Sequence, residues 1–223
     1  MPLAEEANGR ETGFPEFFFM ATYIADPIVE QHVRAERRAT GGDRYDEVWD
    51  GVYVLMPLPG NEHQGLVSGV NSYLFLAVQA TGLGNVFPGV NVSDRREGWE
   101  ENYREPDIAV FLKGTKAENC GTHWLGGPDF AIEVASPNDR TREKLDFCAK
   151  VGVRELLLIE RDPWQMELFR SEGGQWVKVG QSMPDQPAAL RSNVIPITWR
   201  LVPGAQRPRI EMTHHDMAQT WTV

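Results

Sequence analysis

The sequence predicts a mixed α/β fold, and three observations carry that reading. Short apolar runs with strand periodicity recur along the chain, segments with a one-sided helical apolar stripe stand between them, and no low-complexity tract or internal repeat divides the chain. With 223 residues, 41% of them hydrophobic and 24% charged, the chain can bury one sizeable core. The organisation expected is an arm over residues 1–25 and a single domain over 26–223, with its core at about 45–180.

The arm mixes Glu, Gly and Pro before Phe17, Phe18 and Phe19, which have neither helical nor strand period. A first helix is predicted from Asp26 to Arg38, with Asp26 as N-cap and Pro27 at the first helical position, ended by Gly41 and Gly42. Asp50-Gly51 then joins two strand-like runs, Glu47-Val48-Trp49 and Val52-Tyr53-Val54-Leu55, in the pattern of a tight hairpin. From Asn61 to Ala80 the residues Leu66, Val70, Tyr73, Leu74 and Val78 form one apolar stripe, so a second helix is expected with Asn61 as its cap.

Three strands are predicted next, at 85–92, 106–112 and 129–135, followed by a helix over 139–151 that Gly152 stops. Further strands are expected at 153–159, 166–169 and 176–179, the last two turned by Gly173-Gly174. The tail beyond Pro184 is weakly patterned.

Composition narrows the function classes. Cys120 and Cys148 show no CxxC spacing, and no basic leader runs into an apolar stretch, so a reducing cytoplasmic setting is expected. The longest apolar stretches, 73–78 and 156–159, are far shorter than the roughly 20 residues of a membrane-spanning helix. A net charge of −10 disfavours loose attraction to polyanions, although acids gathered around a cation add to that total while the ion cancels them locally.

Two acids need a reason to be where they are. Alternation puts Asp107 with Ala109 and Phe111 on one face of its strand, and Glu133 between Ala131 and Ala135 on one face of the next. A carboxylate buried there without a partner would cost several kcal/mol or be neutralised. A divalent cation between the two would keep both ionised; pairing of each with Arg or Lys would also suffice. On the following helix Lys144, Phe147, Cys148 and Val151 share a stripe, so Lys144 lies on the packed face and needs an anion within reach. That lysine is read as an ion-pair partner of these acids, or as a group that stabilises charge in metal-dependent phosphoryl chemistry.

The ordered set Tyr45-Asp46-Glu47-Val48-Trp49-Asp50-Gly51, Glu62-His63-Gln64, Glu105-Pro106-Asp107, Ile132-Glu133-Val134-Ala135-Ser136-Pro137 and Lys144 to Glu155 resembles the Uma-two family, which is placed in the PD-(D/E)XK nuclease superfamily. The resemblance implies a restriction-endonuclease-like core, a mixed sheet flanked by helices, and a Mg²⁺-dependent endonuclease acting on DNA. It assigns Asp107 and Glu133 as ligands of Mg²⁺ or Mn²⁺. Ala135 stands where the superfamily has a lysine; the compensating helix lysine of the family matches Lys144, across a spacer shorter than the family pattern. An upstream acid is also implied, Glu47 or Glu62, with Glu47 favoured. A homodimer would suit duplex cleavage by symmetry. The rival from another class is a non-catalytic binding or assembly module that keeps the fold and uses the acids and Lys144 as an internal ion-pair network.

Other signals are set lower. His63 caps or lines the site, Arg140 and Arg142 are candidate phosphate contacts, His214, His215 and Asp216 are read as a solvated terminus, and the tryptophans are read as core.

Overall fold

The computed structural model describes residues 22–24, 26–135 and 140–223. The expected N-terminal arm lies almost wholly outside these residues, as do Ser136 to Asp139 of the motif and of the predicted third helix.

Helix α1 (Pro27–Thr40) forms as the sequence predicts. The Asp26 carboxylate accepts hydrogen bonds from the Ile28 and Val29 amides, and Gly41 closes the helix in the left-handed conformation. The hairpin of strands Glu47–Trp49 and Val52–Leu55 turns through Asp50 and Gly51, both at positive φ, which is the conformation a two-residue turn needs to match strand twist. Helix α2 (Asn61–Leu74) starts one residue earlier than expected: Gly60, not Asn61, holds the N-cap position and supplies no side-chain cap. It continues as a π-helical turn over Phe75–Gln79. Leu66, Val70, Leu74 and Val78 are buried as the stripe requires, and Tyr73 stacks on Trp221.

Among the described residues, the principal sheet has six strands in the order Gln175–Ser182, Trp164–Glu172, Glu155–Arg161, Phe130–Ala135, Ile108–Leu112, Gly84–Pro88. The central pair, Phe130–Ala135 with Glu155–Arg161, is parallel and the others are antiparallel, so the sheet is mixed. The connection between the parallel strands carries helix α3 (Lys144–Lys150), the kind of crossover a parallel pair needs in order to bring the chain back to its starting edge. Where a helix is predicted over 139–151, the described part begins with a 3₁₀ turn at Thr141–Glu143, and α3 spans only Lys144–Lys150. Gly152 follows at positive φ, as expected.

The strand expected at 85–92 is broken. Gly89 has a φ of 60°, and a Cβ there would lie 2.5 Å from Glu105 Oε1, so the chain leaves the sheet at Pro88 and Val92–Ser93 joins a different one. That second sheet also contains the Glu47 hairpin and strand Tyr103–Arg104, which delivers Glu105 and Asp107.

The weakly patterned tail proves to be structural. Strands Leu190–Arg191, Ile197–Val202, Arg209–His214 and Thr220–Thr222 form a third, antiparallel sheet in that order. Leu190, Ile197, Trp199, Leu201, Ile210 and Met212 join α2 and one face of the principal sheet in the largest core cluster. The opposite face of the central strands, Ala131, Ala135, Leu156 and Leu158, packs against Cys148 of α3. Glu133 points to that α3 face by strand alternation. Among the described residues no helix is long and apolar enough to cross a membrane.

Candidate active site

Asp107 lies one residue before strand Ile108–Leu112. Continuing the antiparallel register from the Ile132–Ile108 pair by one position sets it beside Glu133. Both of its oxygens are engaged: Oδ2 accepts the Val134 amide at 2.7 Å, and Oδ1 is 2.9 Å from His63 Nε2 on the first turn of α2.

Glu133 is 2% exposed, flanked by Ala131 and Ala135, whose small side chains let α3 approach. Lys144 reaches it from that helix. Its Nζ is 3.3 Å from Glu133 Oε2 and 2.8 Å from Glu47 Oε1, and it is 3% exposed. Glu47, on the first strand of the hairpin and 1% exposed, is saturated: Oε1 also accepts the Glu105 amide at 2.9 Å, and Oε2 accepts Trp49 Nε1 at 2.5 Å. Glu62, the other upstream acid, stands at the rim, where Arg161 Nη1 meets it at 3.1 Å.

The electrostatics follow from this packing. Burial works against charge on Lys144, but the Glu133, Glu47 and Asp107 carboxylates outweigh it and hold the amine well above its usual pKa. It is an ammonium. Burial pushes Glu133 well above the ordinary carboxylate range; Lys144 pulls it down while Asp107 and Glu47 push it further up. One ammonium therefore serves several carboxylates, a balance that a divalent cation would complete.

These groups line a cleft of about 610 Å³, within the usual size range of small-molecule sites. Glu105 and Arg44 also face the cleft, and burial pushes Glu105 up to about 7, with Glu47 and Asp107 adding to the rise. Nothing in the sequence marks Glu105 as a site residue beyond its place beside Pro106-Asp107. Its partly buried position depends on the hairpin and on Gly89, which are far away in sequence.

The other candidates fall elsewhere. Arg140 is paired with Glu143, and Arg142 bridges Glu160 and Glu167, so both are engaged within the protein. His214 ends a strand of the third sheet, half-buried like His215, and lies 2.7 Å from Asp216, which is exposed as the solvated reading expects.

Among the described residues no group of three or more His, Cys, Asp or Glu is placed to hold a metal ion. Mg²⁺, however, commonly takes one or two carboxylates and fills its remaining positions with water and substrate phosphate. Among the described residues Glu133 Oε1 is buried with no hydrogen-bond partner, an acceptor position that a cation would satisfy. The two carboxylates thus fit a hard divalent ion.

No curated protein matches the chain significantly. A crystal structure of a nuclease described as "putative", belonging to DUF820, from Anabaena variabilis ATCC 29413 superposes with a TM-score of 0.52 at 22% identity, covering 67% of this chain and 83% of that one. That similarity shows a shared fold. The model of the Uma2 family, described as "Putative restriction endonuclease", matches residues 29–203. With most of its length inside that match, the chain belongs to the Uma2 family.

Proposed function

We propose that this chain is a divalent-metal-dependent endonuclease that hydrolyses phosphodiester bonds of DNA, with Asp107 and Glu133 holding Mg²⁺ or Mn²⁺. The observation that carries the reading is the opposition of Asp107 and Glu133 in the cleft, with Glu133 Oε1 unpartnered among the described residues. Membership of a restriction-endonuclease family supports it.

When bound, the ion supplies Lewis acidity toward a phosphoryl oxygen and lowers the pKa of coordinated water. The chain's own residues supply position and charge. Asp107 is held at both oxygens, so its orientation is set before any substrate arrives. Lys144 remains protonated and so does not act as a base; its ammonium lines the cleft, where it opposes the negative charge that builds on a phosphate under attack. Glu47 also lines the cleft, and its contact with the Lys144 ammonium at 2.8 Å holds that group in place.

The test is cleavage of plasmid and single-stranded DNA in Mg²⁺ or Mn²⁺ by the wild type, Asp107→Ala and Glu133→Gln. A loss of about 1,000-fold in either variant is expected, equivalent to about 4 kcal/mol of transition-state stabilisation. Cleavage unchanged by both substitutions would sink the assignment.

A second reading, a non-catalytic module, is favoured by the closed Glu47–Lys144–Glu133 network and by the net charge of −10. It predicts no Mn²⁺ binding that depends on Glu133, which calorimetry decides.

A further inference from the structure

We infer that His63 is a positioning residue for the metal site: its Nε2–H fixes the Asp107 carboxylate in the orientation that receives the cation. This rests on the proposed role of Asp107 as a metal ligand.

Three observations lead there. The Asp107 carboxylate is clamped from two different elements, Val134 N–H of the central strand at one oxygen and His63 Nε2 of α2 at the other, at 2.7 and 2.9 Å. Without His63 one oxygen would be free to rotate, because the strand amide alone fixes a single point. The second observation is the cost of the arrangement. His63 is 8% exposed, and its Nδ1 is buried without a partner among the described residues. An orphaned ring nitrogen on an otherwise packed helix face is unfavourable, and an aliphatic residue would avoid it. A local choice that works against stability marks a position kept for another reason. The third is position: His63 stands at the first turn of α2, a helix whose Leu66, Val70 and Leu74 are fixed in the main core, so the imidazole is carried on a rigid support.

The pattern is that of partners behind metal ligands, which set ligand orientation without touching the ion. Neither charge nor proton transfer at His63 is needed; only a donor at the Nε2 position is.

That requirement makes the inference testable. Mn²⁺ affinity is measured by calorimetry and by the electron paramagnetic resonance signal of free Mn²⁺, for the wild type, His63→Gln, His63→Leu, His63→Asn and Glu133→Gln, with circular dichroism melts alongside. The Gln amide can take the place of Nε2, while the shorter Asn amide falls short and Leu has no donor. The expected result is a 10–100-fold loss of Mn²⁺ affinity in Leu and Asn, the typical effect of removing such a partner, and recovery to within about threefold in Gln. Should the Leu variant fail to fold, the Gln and Asn pair carries the comparison. Equal affinity in wild type, Gln and Asn, with Glu133→Gln still abolishing binding, would overturn the role of His63 and leave the metal site standing. Equal weakness in Gln and Asn would assign the effect to packing and overturn it as well. No Mn²⁺ binding by the wild type would remove both readings.

Discussion

Replacement of Lys144 by Met probes the densest electrostatic feature of the molecule. The substitution keeps an unbranched apolar stem, one atom shorter, but removes the ammonium from between Glu47 Oε1 at 2.8 Å and Glu133 Oε2 at 3.3 Å. Both carboxylates are almost fully buried. Leaving buried charge uncompensated costs about 3–5 kcal/mol, and Lys144→Met is expected to lose that much at pH 8. The pH dependence has a definite sign. Burial already raises Glu133, and the lost ammonium is the group that pulled it down, so its folded pKa rises further in the variant. For a group whose folded pKa is raised, the contribution to stability is present at low pH and lost as pH rises through the folded value. The deficit of Lys144→Met should therefore shrink from pH 8 to pH 5. Adding Glu47→Gln and Glu133→Gln removes the stranded charges and should recover most of the loss. Urea denaturation of the three proteins at both pH values gives the answer. A Lys144→Met deficit under about 1 kcal/mol at pH 8, or one that grows toward pH 5, would refute the buried network.

Three further expectations concern the surrounding frame. Glu105, pushed up to about 7, favours folding in its protonated form; that contribution is lost as pH rises through about 7, and Glu105→Gln should flatten the stability change between pH 5 and 8 by on the order of 1–2 kcal/mol, allowing for its partial exposure. Parallel pH slopes for the two proteins in denaturant melts would contradict it. Trp199, fully buried and stacked on Phe130 with ring centroids 6.0 Å apart, should cost about 3–5 kcal/mol when changed to Ala, and a loss under about 1 kcal/mol would show that the C-terminal sheet is not core. Gly89→Ala should destabilise by about 1–2 kcal/mol because the residue adopts a left-handed backbone, and an unchanged melting temperature would count against that geometry.

The parts of this fold legible in the sequence are those whose signals are local. The Asp26-Pro27 start of α1, the Asp50-Gly51 turn and the Leu66–Val70–Leu74 stripe each need only a few neighbours to be recognised, and all form. Gly60 displaced Asn61 as N-cap because a cap is chosen by backbone conformation as well as by side chain. The C-terminal strands escaped notice because their apolar residues alternate in short pieces and become core only against α2, more than 100 residues away. At the site, alternation placed Glu133 and the stripe placed Lys144, so their meeting was readable in outline. What the sequence could not convey is how each carboxylate is held: the Val134 amide on Asp107, Trp49 on Glu47 and the bare Oε1 of Glu133 depend on three elements converging at one cleft.

The central claim, that Asp107 and Glu133 together hold a divalent cation, is tested most directly by soaking crystals in Mn²⁺ and collecting diffraction at the manganese absorption edge. The account predicts an anomalous peak within coordination distance of Glu133 Oε1 and of the Asp107 carboxylate, and its loss in Glu133→Gln crystals. No peak in the cleft at saturating Mn²⁺, or one that persists in Glu133→Gln, would contradict it.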